Sequence, residues 1–173
     1  MNRSYSNPEP YPKISVTRPN RELAILLTQD LAAAKSEMTT IHQYVYQSWM
    51  IQEKYPEISE GLSKIAAVEM HHFDILGKLI QMLGGNPKCQ SINRGRFTVW
   101  NGNMINYHTG IRQILLNDIS SEQFAYKADT LQSASVPDPK VSAILARLSL
   151  DEKLHAEILH DYLLQATSAE ADA

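Results

Sequence analysis

Only one cysteine, Cys89, occurs in the 173 residues. A single thiol excludes an intrachain disulfide, a Cys-x-x-Cys redox pair and a cysteine-ligated iron centre, so a structural loop thiol is the expected role. No apolar run approaches the ~20 residues that a bilayer-spanning helix needs. The opening residues, Met1 to Pro8, lack the apolar core of a secretory signal. Lysine and arginine are scattered, and the formal net charge is −3. That balance argues against binding to nucleic acid or a membrane surface through bulk charge. A soluble, cytoplasmic protein with neither kind of partner is the expectation.

Proline is rare except at the start, where Pro8, Pro10, Pro12 and Pro19 crowd into residues 1–19 with Tyr5 and Tyr11. Proline at that density holds the chain extended, so an N-terminal arm is expected there. The rest is long enough for one domain with a buried core. A first helix is expected from about Asn20, a good N-cap, to about Tyr55, just before Pro56. Its stripe of Leu23, Leu26, Leu27, Ile41 and Tyr44 is interrupted by two carboxylates, Asp30 and Glu37. A second helix is expected from about Glu57 to Leu83, stopped by Gly84, Gly85, Asn86 and Pro87.

Residues 85–108 show no helical period. A connection of that length can cross a bundle from end to end, with Phe97, Val99 and Trp100 packed on the outside of the helices and room for a short edge strand. A third helix is expected from about Thr109 to Ala134. The fourth opens on Asp138 and Pro139, an N-cap followed by proline at the first helical position, and runs to about Thr167. Residues 168–173 read as a frayed tail. Short turn, long crossover, short turn describes an all-α four-helix bundle made of two αα-hairpins.

The chemistry lies in a repeat. Leu62 to Leu76 matches Leu145 to Leu159 at an offset of 83 residues, and each copy carries Glu-x-x-His: Glu69 with His72, Glu152 with His155. Positions i and i+3 share a helix face, so each pair points together into whatever that helix packs against. Counted from the turns at about 1.5 Å per residue, Glu37, Glu69, Glu122 and Glu152 all lie roughly 21–27 Å deep. One carboxylate from each of two helices and a Glu-x-x-His from each of the others make a set for two divalent ions. Four carboxylates balance the four positive charges, and without ions some would have to hold protons. Tyr44 and Tyr126 share the faces of Glu37 and Glu122. Asp151 can accept the free imidazole N–H of a ligand histidine, His72 across the bundle being the natural partner. His71 points about 100° away from His72 and is expected at the surface. His42, His108 and His160 have no ligand spacing.

On these motifs, residues 20–167 resemble the ferritin-like superfamily, on its rubrerythrin and manganese-catalase side. Rubrerythrins carry a further carboxylate three residues along the third helix, where Ile119 and Ala125 flank Glu122, and a Cys-x-x-Cys domain absent from this chain. The resemblance implies that Glu69 and Glu152 bridge two iron or manganese ions, with Glu37, Glu122, His72 and His155 terminal. It implies an oxidoreductase acting on hydrogen peroxide or dioxygen, a separate electron donor if it is a peroxidase, and a homodimer or higher homo-oligomer. Tyr44 and Tyr126 would deliver protons or intercept radicals. The alternatives are a ferroxidase that handles iron and a structural coat-type protein with an idle site.

Overall fold

The computed structural model describes residues 3–171, with side chains described as far as Ser168. Five helices, α1 (Arg21–Ala32), α2 (Glu37–Ile51), α3 (Pro56–Met82), α4 (Ile111–Ser135) and α5 (Pro139–Ala171), form four rods, because α1 and α2 together make the first. The break between them corrects the expectation of one helix from Asn20 to Tyr55. Asn20 caps α1 as expected, its side chain accepting from the Leu23 N–H at 3.1 Å. Ala33 then turns extended (φ −87°, ψ −177°). Ser36 restarts the helix, accepting from the Thr39 N–H, while its own hydroxyl and that of Thr39 donate to the freed Ala33 carbonyl. Glu37 is therefore the first residue of α2, where the positive end of the helix dipole favours a carboxylate.

The other boundaries lie within a few residues of expectation. Asp138 caps α5 by accepting from the Lys140 N–H at 3.0 Å. The tail expected to fray continues as helix to Ala171, and residues 172–173 lie outside the described residues. The crossover holds a hairpin, β1 (Gln90–Asn93) against β2 (Arg96–Val99), antiparallel with Gln90 opposite Val99. Arg94 and Gly95 turn it with positive φ (48° and 75°), the left-handed pair that matches strand twist in a two-residue loop. β1 docks on α1 through Thr28 and Gln29, whose side chains bond the Ile92 backbone. This corrects the expected packing of the crossover: Phe97 and Val99, on the outer strand, are about two-thirds exposed. Only Trp100 turns inward, donating from its indole to Thr39 Oγ1 at 2.9 Å. Cys89 is exposed in the loop before β1.

The apolar core is divided. One cluster contains Leu27, Leu31, Ile75, Leu79, Ile144 and Leu148; the other contains Tyr44, Ile65, Leu62, Ile114, Leu115 and Leu159. Along α3 the buried apolar residues stop at Ala66 and resume at Ile75, and along α5 they stop at Leu148 and resume at Ile158. The gaps hold Glu69 and His72, and Glu152 and His155. A polar layer thus crosses the bundle between two apolar halves, each buried Leu or Ile of which contributes about 1.5–3 kcal/mol.

Candidate metal centre

Six side chains meet in this layer. Glu69, His72 and His155 are fully buried, Glu122 and Glu152 nearly so, and Glu37 is 9% exposed. Their donor atoms fall into two groups: Glu37, Glu69, His72 and Glu152, then Glu69, Glu122, Glu152 and His155, each with its atoms within 4.8 Å of one another. Glu69 and Glu152 belong to both. The imidazoles lie nearly parallel, with centroids 6.3 Å apart. His72 Nδ1 faces Glu69 Oε2 at 3.1 Å and Glu152 Oε1 at 3.0 Å, and His155 Nδ1 faces Glu69 Oε1 at 2.7 Å.

A metal pair fits this donor set. Glu69 Oε1, Glu122 Oε2, Glu152 Oε1 and His155 Nδ1 are buried and make no directed hydrogen bond; imidazole and carboxylate atoms crowd one another there at 2.7 to 3.6 Å. Protein interiors seldom leave such atoms unsatisfied. The electrostatics tell the same story for the metal-free chain. Burial, then the charges of Glu69 and Glu152, pushes the Glu37 carboxyl well up; burial and the charges of Glu69 and Glu122 do the same to Glu152. Burial would also raise Glu69, but the two imidazoles beside it outweigh that and hold it well down. Burial disfavours charge on His72 and His155 too, yet the carboxylates around them, Glu69 foremost, push both well up. Protons stand in for cations.

Each imidazole is aimed by its far nitrogen. His72 Nε2 meets Asp151 Oδ2 across the bundle at 3.0 Å, leaving Nδ1 to the centre. Asp151 is held in turn by the Asn7 N–H at 2.6 Å, by Ser6 Oγ at 3.2 Å, by the Tyr11 hydroxyl, and by Arg147 in an ion pair at 3.0 Å. Burial would raise the Asp151 carboxyl, but the bonds from His72, Tyr11 and Asn7 hold it below the usual range. The repeat places Val68 where Asp151 stands in the second copy, so His155 has no matching carboxylate. The N-terminal arm supplies the substitute: His155 Nε2 donates to the Tyr5 carbonyl at 2.8 Å.

Arg147 fastens that arm, donating to the carbonyls of Glu9 at 2.6 Å and Asn7 at 2.8 Å, with its guanidinium 4.0 Å over the Tyr11 ring. None of Tyr5, Asn7, Tyr11 or Arg147 was identified from the sequence. The available signals were two tyrosines in a proline-rich arm and an arginine one helical turn before Asp151.

Tyr44 is fully buried and its hydroxyl donates to Glu122 Oε1, which leaves Oε2 free. Burial, followed by the charges of Glu122 and Asp118, pushes its phenol well up, so it stays protonated. Tyr126, one turn after Glu122, is not brought to the centre: it lines a shallow outer groove between α4 and α5 with Lys127, Lys153 and His160. His71 is exposed and meets the Tyr11 ring edge-on at 4.7 Å. On the opposite side from the arm, a cavity of about 300 Å³ reaches Glu37, Glu122 and Glu152.

A family model described as Ferritin-like matches residues 31–126, more than half of the chain. The chain belongs to the ferritin-like family. A probable manganese catalase of Clostridium acetobutylicum is 24% identical over 153 residues, covering 87% of this chain. This chain spans 60% of the length of that relative. Among solved structures, KatB, a manganese catalase from Anabaena PCC7120, superposes with a TM-score of 0.82 at 20% identity, over 95% of this chain and 81% of that one. A bacterioferritin of Rhodobacter capsulatus, described with a metal-free dinuclear site, gives 0.68 at 22% identity, over 87% and 89%. At such identities the structural likeness establishes the ferritin-like bundle. No described helix is long and apolar enough to cross a membrane.

Proposed function

We propose that this ferritin-like protein is a non-haem oxidoreductase whose two-metal centre, of manganese or iron, disproportionates hydrogen peroxide. The observation that carries the reading is the pair of overlapping donor groups sharing Glu69 and Glu152, with carboxylate oxygens and imidazole nitrogens of all six residues gathered in one buried space. In this reading Glu37 and His72 would hold one ion and Glu122 and His155 the other, with Glu69 and Glu152 belonging to both donor groups. Hard carboxylates suit manganese or iron and favour their oxidised states. When bound, two ions supply one electron each, the pair that cleaving an O–O bond consumes.

The chain's own residues do the rest. Asp151 and the Tyr5 carbonyl hold the histidine tautomers, so that both Nδ1 atoms face inward. Tyr44 keeps its proton beside Glu122, fixes which oxygen of that carboxylate points to the centre, and stands as the nearest O–H donor on that wall. Gln43, Ser36 and Asn106 line the cavity with neutral hydrogen-bonding groups, a passage suited to peroxide, which is small, polar and uncharged. The arm seals the histidine side. We expect the protein to act as a homo-oligomer, as the sequence suggests.

The decisive experiment loads the purified protein with manganese or iron, counts ions per chain and follows peroxide and oxygen together. One oxygen released per two peroxides consumed, with no added donor, is the expected result. Consumption only with an added reductant would make it a peroxidase. Two bound ions with no peroxide consumed would overturn the reading and leave the ferroxidase alternative, tested by following ferrous oxidation directly.

A further inference from the structure

Asp118 lies outside the six-residue set, yet it is fully buried and sits one helical turn before Glu122 on α4. Residues four apart share a helix face, so both turn to α2: Glu122 toward Tyr44, and Asp118 toward Gln43 and Gln47. Three amides donate to Asp118 Oδ1: Gln43 Nε2 at 2.8 Å, Gln47 Nε2 at 3.1 Å and Asn117 Nδ2 at 3.3 Å. Its Oδ2 is buried without a partner. The bonds continue into the end of the crossover. Gln43 Oε1 accepts from the Asn106 N–H at 2.9 Å, and Asn106 Nδ2 donates to Asn117 Oδ1 at 3.0 Å. Asp118, Gln43, Asn106 and Asn117 therefore close a hydrogen-bonded ring that ties α2 and α4 to a loop residue.

Three members of the ring, Gln43, Asn106 and Asn117, line the 300 Å³ cavity that reaches Glu37, Glu122 and Glu152. The same loop adds Met104 to that wall, from a single turn of 3₁₀ helix, Gly102–Met104. Beyond the ring the segment is held by the Tyr107 ring, edge-on to Tyr46 at 4.9 Å. Bonds in a closed network support one another, so losing one loosens the rest. Asp118 serves the ring through one oxygen, and it makes no ion pair among the described residues. A buried carboxyl used in this way contributes its shape and an acceptor, while a charge there would only add cost. We propose that Asp118 and Gln43 are positioning residues that hold the end of the crossover as a wall of the substrate passage, Asp118 acting as a hydrogen-bond acceptor and not through charge. The ring stands on its own bonds; that the passage admits peroxide rests on the two-metal reading above.

The test compares Asp118→Asn, Asp118→Ala and Gln43→Ala with wild type by amide hydrogen exchange and, after loading with manganese or iron, by peroxide kinetics. Asp118→Asn keeps the acceptor oxygen and puts an amide in place of the unpartnered one, so it should behave as wild type in both. Asp118→Ala and Gln43→Ala should speed exchange at the Asn106 and His108 amides by about 2- to 10-fold, the worth of one net hydrogen bond, while the amides of α3 and α5 stay as they were. In the same two variants KM should rise by about 2- to 10-fold and kcat should fall less, the pattern left by losing groups that bind ground state and transition state alike. If Asp118→Asn loses as much as Asp118→Ala, the proposal is overturned and Asp118 acts through its charge. Unchanged exchange at Asn106 in Gln43→Ala would overturn it too, and that variant decides the matter if Asp118→Ala does not fold. The expected exchange in a protein that consumes no peroxide would keep the ring and remove the peroxide reading.

Discussion

Replacing Arg147 by methionine should loosen the N-terminal arm and, through it, the histidine side of the centre. Arg147 is 4% exposed. It pairs with Asp151 at 3.0 Å and donates to the Glu9 and Asn7 carbonyls and, at 3.2 Å, to Ser6 Oγ. Methionine restores most of the aliphatic volume, so the loss is chiefly electrostatic. Removing one partner of a buried ion pair costs about 3–5 kcal/mol, because the remaining charge stays buried. For a chain of this size each kcal/mol shifts Tm by roughly 2–4 °C, so the metal-free variant should melt on the order of 10 °C lower. Trypsin should then cut after Lys13, a bond that the docked arm protects in the wild type. Weaker orientation of His72 should also lower metal affinity by about 10- to 100-fold. A variant with wild-type melting and a protected arm would refute the reasoning, since the arm would then be held without this residue.

Tyr44→Phe should strand Glu122 Oε1 in the core and cost about 1–3 kcal/mol in urea unfolding, with slower peroxide turnover in the loaded protein. Gly61→Ala should destabilise despite alanine's better helix propensity, because a Cβ there overlaps the buried Tyr162 ring, which is tied to Tyr5 by a 2.7 Å hydroxyl bond; overpacking costs about 1–3 kcal/mol against a gain of about 1. Burial pushes the carboxyls of Asp30 and Asp118 up to about 7, despite amide donors from Gln132 to the first and from Gln47, Asn117 and Gln43 to the second. Between their ordinary value of 3.8 and about 7 the folded chain binds more protons than the unfolded one. Metal-free stability should therefore fall as pH rises through that window, so the urea midpoint should be lower at pH 8 than at pH 5; an equal or higher midpoint at pH 8 contradicts this. Chelation should lower Tm, since each ion held at a hundred times its Kd adds about 2.7 kcal/mol; unchanged melting after removal would mean that the centre binds none.

The 83-residue repeat, the i, i+3 spacing of Glu69 with His72 and of Glu152 with His155, and the common depth of the four glutamates were legible in the sequence by itself. They depend only on helical periodicity and rise, which are local properties. The bundle followed from the same counting. The interruption at residues 33–36 was not legible, because Ala33 and Ala34 are good helix formers. Only the Ser36 cap, with Thr39 and Trp100 against it, makes the break favourable, and Trp100 lies 61 residues away. Tertiary structure alone decided what stands behind each imidazole. Val68 cannot accept a proton where Asp151 does, so a backbone carbonyl 150 residues away in sequence fills the place. It also decided that Asp30 and Asp129, on separate rods, line one cavity. Such pairings cross between rods, and the relative rotation of two rods is set by packing, which no local pattern encodes.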